Sequence, residues 1–254
     1  MKFKHVLIFF SFLVIILFFV TLTSLFGMID TKKFLTSVFS YEMLYSIKLT
    51  ILTSVCATSL TMCTAIPVSY AMSRYKLPFK KLGRSILVVP IALPELVVGV
   101  ALVLLFSPDH LGRIIPLSFT VPGIILAQFF VALPYAIRIL HTTFNYIDER
   151  YEFVARSLGC SEFGAFRRVT LPLAKNGILA SSIIAFAKSM GAFGAVLMMG
   201  GGTYLKTETL PITVYLNMSY GNLDMAISAA CVLLIISFAI LIIIEKYFKN
   251  VPVY

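Results

Sequence analysis

The chain has 254 residues, of which 59% are hydrophobic and 13% are charged, and its mean hydropathy is +0.97. This composition is typical of an integral membrane protein and lies outside the range of soluble domains. A membrane-crossing helix takes about 20 apolar residues, so six or seven crossings would use the whole length. We therefore expect one membrane domain over residues 1–254 and exclude a large soluble catalytic domain.

Six continuously apolar runs predict transmembrane helices. They cover residues 6–26, 49–72, 86–106, 121–137, 178–199 and 225–244. Strands of a membrane barrel would be about 10 residues long with alternating polarity, and these runs do not alternate. The first run is too long for the apolar core of a typical signal peptide, and no cleavage pattern follows it. The sequence predicts an all-α integral membrane protein with six spans.

The lysines and arginines are distributed unequally over the two sides of these spans. Fourteen lie at the two termini and in the loops after the second and fourth spans, against four in the three opposite loops. Short cytoplasmic segments retain basic residues, so we expect both termini in the cytoplasm. The net charge of +10 is explained by this bias and needs no nucleic acid.

Prolines lie in or beside spans two to four, at positions 67, 90, 94, 122 and 134. Each removes a backbone donor and can kink or interrupt a helix. Kinked helices suit a moving pore wall, although proline is also common in membrane helices in general.

The longest polar segment, residues 141–177, is predicted to fold on the cytoplasmic surface. Residues 151–158 form a short helix in this prediction, Gly159 permits a left-handed turn, Ser161 caps a second short helix, and Pro172 ends the segment. Phe163 and Phe166 then share one face. This face either docks a partner protein or lies on lipid headgroups.

The spacing in this segment resembles the signature of binding-protein-dependent ABC importer permeases, E-A-A, three residues, G, nine residues, I, one residue, L-P. Here it is Phe153-Val154-Ala155, then Gly159, then Val169-x-Leu171-Pro172, and the acid Glu152 lies one place before the family's glutamate position. In that family this loop is the coupling helix, which sits in a groove of the ATP-binding subunit. The resemblance implies that Ala155, Gly159, Phe163, Phe166, Leu171 and Pro172 couple the chain to an ATPase.

Three further stretches resemble the molybdate, tungstate and sulfate branch of these permeases: Pro90-x-x-x-Pro94 with Gly99, residues 186–195, and residues 207–211. The resemblance implies the permease of an ATP-driven importer in the cell membrane, with molybdate or tungstate as the first choice of cargo. Sulfate, thiosulfate or a polyamine are alternatives. The implied partners are a second copy of the chain as a homodimer, two ATP-binding subunits that hold ATP and Mg²⁺, and an external binding protein. No cofactor is expected in this chain.

Two ionisable residues, Glu95 and Lys188, lie well inside spans, where a charge costs roughly 3 kcal/mol. In one hypothesis Lys188 lies on the translocation path with Ser189, Gly191 and Gly194, and lowers the barrier for a dianion. In the other, Lys188 pairs with Glu95 or with another chain and only holds helices together.

Two other classes of protein are less compatible with the sequence. An intramembrane enzyme lacks candidates, because His5, His110 and His141 all lie outside the spans and provide neither a Ser–His pair nor a metal site there. A stand-alone channel or secondary transporter is disfavoured because no inverted repeat is evident. Residues 200–203 lack the pattern of a phosphate-binding loop, so the energy for transport is expected from a partner.

Overall fold

The computed structural model of the chain describes residues 2–27, 30–76 and 78–247, and these residues contain helices and no strand. The all-α class predicted from the sequence is confirmed. The helices are α1 (Lys2–Gly27), α2 (Thr31–Val38), α3 (Tyr41–Arg74), α4 (Lys80–Ala92), α5 (Glu95–Leu105), α6 (Val121–Tyr146), α7 (Arg150–Ser157), α8 (Glu162–Ala165), α9 (Leu171–Gly191), α10 (Gly194–Gly200), α11 (Leu210–Ser219) and α12 (Leu223–Tyr247). Among the described residues five helical segments could cross a membrane, and a bent pair would make a sixth.

Helices α3, α6 and α9 form the centre of the molecule and pack closely on one another. Small and hydroxyl-bearing side chains fill their interfaces, which lets the helix backbones approach. Ser69 of α3 donates to the carbonyl oxygen of Ile137 at 3.3 Å, and Ser181 of α9 donates to that of Ala136 at 3.3 Å. These side-chain bonds join α3 and α9 to α6, so the three helices form a connected scaffold for the cytoplasmic segment.

The third predicted span, residues 86–106, is not one continuous helix. Helices α4 and α5 meet at Leu93 and Pro94 with a bend of 114°. Proline disfavours helical geometry in the residue before it and offers no backbone N–H. Leu93 accordingly has an extended backbone with ψ of 144°.

The fifth predicted span, residues 178–199, is also broken. Helix α9 ends at Gly191 and α10 begins at Gly194, because Ala192 has an extended backbone with ψ of 120°. The fourth span is longer than predicted. Helix α6 continues past residue 137 to Tyr146, so the buried side chains of Leu140 and Phe144 belong to the core and not to a loop.

The helix that includes α9 begins earlier than the sequence suggested. A π-helical turn, Phe166–Thr170, joins α8 to α9, and the helix runs from Glu162 to Gly191 without interruption. The prediction that Pro172 ends the segment is therefore wrong. Pro172 lies in the first turn of α9. A wide turn fits here because Leu171 N–H donates to the carbonyl oxygen of Phe166, five residues back, while Pro172 has no N–H to donate.

Candidate coupling and translocation sites

The turn between α7 and α8 has the local geometry that its sequence predicts. Gly159 has a φ of 91°, in the left-handed region that favours glycine. Ser161 caps α8 by accepting a hydrogen bond from Gly164 N–H on its Oγ at 3.1 Å. The two short helices are therefore set at a fixed angle by two residues of the turn.

A cluster that we call the Glu152 latch fixes α7 to the membrane helices. The Glu152 carboxylate accepts hydrogen bonds from Tyr70 Oη at 2.8 Å and from Thr170 Oγ1 at 2.7 Å. Its Oε1 also lies 2.9 Å from Arg74 Nε in an ion pair. Tyr70 and Arg74 come from α3, and Thr170 from the π turn. One carboxylate thus joins three segments that are distant in the sequence.

Arg74 extends the latch to the end of α6. Its two terminal nitrogens donate to the carbonyl oxygens of Phe144 at 3.1 Å and Ile147 at 2.8 Å. The side chains of Arg74 and Glu152 are only 7% and 13% exposed, so the pair is largely removed from water. Burial acts to raise the pKa of Glu152, but the hydrogen bonds from Thr170, Arg74 and Tyr70 outweigh it and hold the pKa below its usual range.

The outer face of the coupling segment presents apolar side chains to the surroundings. Phe153, Val154 and Leu158 are exposed, and Phe163 is 70% exposed. We call these four residues the apolar face. Large exposed apolar side chains concentrated in one short segment are typical of a contact with another protein or with the membrane.

The two phenylalanines that the sequence placed together have different environments. Phe166 is half-buried, and its ring lies 4.5 Å from the ring of Tyr70, centroid to centroid. The centroids of Phe163 and Phe166 are 6.5 Å apart. Phe166 therefore packs the start of α9 against α3, while Phe163 remains exposed on the apolar face. Of the other predicted coupling residues, Ala155 and Leu171 are half-buried and Pro172 is exposed.

Glu95 and Lys188 have different partners in the structure, and their pairing stays a prediction. Among the described residues no ion pair joins them, and Glu95 Oε2 instead accepts a hydrogen bond from Phe193 N–H at 3.1 Å. The break before α10 leaves this N–H without a carbonyl from its own helix, and a carboxylate satisfies it. Lys188 Nζ lies 4.5 Å from the centre of the Tyr135 ring, a cation–π contact.

The other residues predicted for the translocation path lie in three different settings. Ser189 is fully buried, and its Oγ has no hydrogen-bond partner among the residues that the structure describes. Gly191 is exposed, and a Cβ built there would have no heavy atom within 4 Å. Gly194 is buried where α10 crosses α5, and a Cβ there would lie 2.8 Å from Leu96 N. Gly194 therefore permits close helix packing, as does Gly99 on the other side of the crossing, where a Cβ would lie 2.8 Å from the Ala195 Cα.

The segment between α10 and α11 carries a buried acid. Glu208 is 3% exposed, and burial raises its pKa, with a further contribution from the charge of Glu42. Its neighbours are held by hydroxyl groups: Leu210 N–H donates to Thr50 Oγ1 at 2.8 Å, and Thr203 N–H donates to Thr207 Oγ1 at 2.8 Å. The bond to Thr50 fixes the segment against α3, and the bond between Thr203 and Thr207 closes a turn within the segment.

Sequence reasoning missed most of the latch. Glu152 was visible only as an acid one place before the signature position, and Arg74 only as one basic residue of a cytoplasmic loop. Tyr70, Thr170 and Tyr135 carried no signal, since a single Tyr or Thr in an apolar helix is ordinary in a membrane protein.

Comparison with known proteins agrees with this architecture. The sequence profile of the family described as binding-protein-dependent transport system inner membrane component matches residues 64–248. A "probable molybdenum ABC transporter permease protein" of Haloferax volcanii is 35% identical over 187 residues, which are 73% of this chain and 68% of that protein. A molybdate/tungstate transport system permease protein of Methanocaldococcus jannaschii is 29% identical over 93% of this chain and 94% of its own length.

A sulfate transport system permease protein of Synechocystis is similar at a comparable level, 30% identical over 79% of this chain and 75% of its own length. Among solved structures, a bacterial ABC transporter involved in the import of alginate has the same fold, with a TM-score of 0.78 over 98% of this chain and 97% of that chain at 16% identity. The chain therefore belongs to the inner-membrane components of binding-protein-dependent transport systems, and it is the permease of an ABC importer.

Proposed function

We propose that the chain forms the translocation path of a molybdate or tungstate importer. The main support is the likeness to a molybdate/tungstate permease protein that extends over 93% of the chain. Lys188, which lies within the fifth span and is half-buried, adds a physical argument, because a fixed cation lowers the barrier for a dianion in the membrane. Sulfate is the second candidate, supported by the sulfate permease protein among the relatives. No comparable observation supports thiosulfate or a polyamine.

The proposal assigns energy coupling to the apolar face and the Glu152 latch. A separate ATPase, which holds ATP and Mg²⁺, docks on the apolar face, and its motion reaches α3, α6 and α9 through the latch. The short hydrogen bonds of Glu152 and the two carbonyl contacts of Arg74 support this route, because they leave α7 little freedom to move alone. The full assembly in this proposal contains two copies of the permease, two ATPase subunits and an external binding protein.

The proposal places both termini and the apolar face in the cytoplasm. The distribution of basic residues supports this orientation. Cysteines introduced at Lys76 and Arg168 should be shielded from an impermeant reagent added outside intact cells, while a cysteine at Lys206 reacts. The reverse labelling pattern would contradict the orientation.

Transport by reconstituted vesicles tests the proposed function. The chain is purified with its ATPase, inserted into liposomes, and supplied with binding protein loaded with molybdate, tungstate or sulfate. We expect ATP-dependent uptake of molybdate or tungstate and none without the ATPase. Uptake of sulfate alone would refute the choice of cargo, and uptake by the permease without ATPase would refute the importer.

Two variants at one position test the docking assignment in the same assay. Phe163→Asp should prevent ATPase binding and uptake, because an exposed aromatic side chain that anchors a contact is replaced by a charge. Phe163→Leu is the matched control and should keep both, since it preserves an apolar side chain. If Phe163→Asp still binds the ATPase and transports normally, the apolar face is not the docking surface.

A further inference from the structure

A cavity of about 270 Å³ lies between α3, α4 and α6, apart from the apolar face and the latch. Apolar side chains of all three helices, Met72 among them, form part of its wall. The rest is polar, with Arg84 from α4 and Arg138 and His141 from α6. The cavity therefore combines apolar side chains with cationic groups from two different helices.

The charges that line this cavity all have one sign. No carboxylate is among its lining residues. In the described part of the chain, neither the Arg84 nor the Arg138 guanidinium has an ion pair or a hydrogen bond. Arg74 of α3 differs from both, because its buried side chain is bound by two carbonyl oxygens and a carboxylate. Both side chains are exposed, so water solvates them when the cavity is empty, and an anion between them would be attracted by both charges.

The chemistry of the lining residues defines the class of ligand. A guanidinium presents a planar fork of N–H donors that matches the oxygens of phosphate-like groups, and two forks from different directions suit a tetrahedral anion. His141 adds a third polar group. Its ring lies 3.2 Å from Asn145 Nδ2, which fixes the imidazole at the cavity wall. An apolar ligand would leave both guanidiniums unpaired.

We propose that this cavity binds a tetrahedral oxyanion between Arg84 and Arg138. The anion comes either from the phosphate of a phospholipid headgroup or from free solution. Leu82, Ile86 and Val89 are exposed on α4 beside the cavity, where acyl chains could contact them. A free oxyanion needs no such contact. The site does not depend on the identity of the cargo, and its test does not measure transport.

Two binding measurements on the full chain distinguish the sources. In the first, the chain is extracted from membranes and native mass spectrometry records the phospholipid that it retains. In the second, the chain is delipidated in a phosphate-free detergent and dialysed to equilibrium against inorganic phosphate or tungstate. Arg138→Gln and Arg84→Gln each remove one guanidinium from the cavity. Arg113→Gln is the matched control, because Arg113 is exposed like Arg84 and Arg138 but does not line the cavity.

We expect each cavity variant to weaken binding tenfold or more in at least one measurement, with Arg113→Gln close to the wild type. Loss of retained anionic phospholipid assigns the site to a headgroup, and weaker binding of phosphate or tungstate assigns it to a free anion. Arg138→Lys should recover part of the binding because it restores the charge. Equal binding by wild type and both cavity variants in the two measurements would overturn the proposal, as would an equal loss in Arg113→Gln.

Discussion

Replacing Glu152 with alanine should destabilise the permease, and the structure gives the magnitude. The change removes three contacts to one carboxylate and leaves Arg74, whose side chain is 7% exposed, without its anion. Breaking one side of a buried ion pair costs about 3–5 kcal/mol. Arg74 keeps its bonds to Phe144 and Ile147, so we expect the lower end of this range, about 3 kcal/mol.

Glu149 provides a matched control because it faces the same arginine. Its Oε1 lies 3.8 Å from Arg74 Nη1, but its side chain is 69% exposed. An exposed ion pair contributes about 0–1 kcal/mol, so Glu149→Ala should have little effect. Two alanine substitutions beside one arginine are thus predicted to differ by about 2 kcal/mol or more.

Thermal unfolding of the purified chain in detergent measures both variants, and a double-mutant cycle with Arg74→Met isolates the pair. The free energy of unfolding should fall less in the double variant than the sum of the two single decreases, because the double variant leaves no unpaired charge. If Glu152→Ala and Glu149→Ala unfold at the same temperature, the latch does not stabilise the fold.

The latch should also respond to pH in one direction. The pKa of Glu152 is lowered in the folded protein. The carboxylate therefore contributes to the stability of the fold above the ordinary carboxylate pKa, and this contribution is lost as the pH falls through the lowered value. The free energy of unfolding should therefore differ between wild type and Glu152→Gln at neutral pH and become similar at acidic pH. In the assembled transporter, Glu152→Gln should raise the ATP hydrolysed per ion transported, because α7 then moves with less effect on α3 and α9.

Three further predictions concern other parts of the chain. Glu208→Gln should raise the unfolding temperature at neutral pH, because a buried carboxylate with a raised pKa costs free energy when ionised; the gain should shrink as the pH falls. Gly99→Val should destabilise the crossing of α5 and α10 by about 1–3 kcal/mol, whereas Gly191→Ala, which meets no neighbour, should not; unfolding curves compare them. Lys188→Met should lower oxyanion uptake with assembly intact, Lys188→Arg should retain it, and adding Glu95→Gln should restore nothing; rescue by that double change would refute the pathway role.

The parts of the structure that were predictable from sequence depend on short-range rules. Gly159 tolerates a positive φ and Ser161 accepts a nearby N–H, and both effects act within a few residues. Pro94 interrupts its helix for an equally local reason. The presence of long apolar helices followed from length and hydropathy, which a bilayer imposes on any chain, although the predicted third and fifth spans are each broken.

The parts that sequence reasoning missed depend on contacts between distant residues. Phe163 and Phe166 are the same residue type one turn apart, yet Tyr70 packs on only one of them. The break at Ala192 carries no proline, and the carboxylate that satisfies the adjacent N–H belongs to Glu95, almost a hundred positions earlier. Local patterns cannot distinguish such alternatives, because the deciding partner is set by tertiary packing.

The uninterrupted helix from Glu162 to Gly191 has a mechanical consequence. Its 30 residues span about 45 Å, so it reaches from beside the exposed Phe163 to the break at Ala192. A helix of this length behaves as a stiff rod over small displacements, and the latch holds this rod near one end through Thr170. In the proposed coupling, a push on the end that carries Phe163 turns the helix about Thr170, and the end that carries Lys188 moves farther because it lies farther from Thr170.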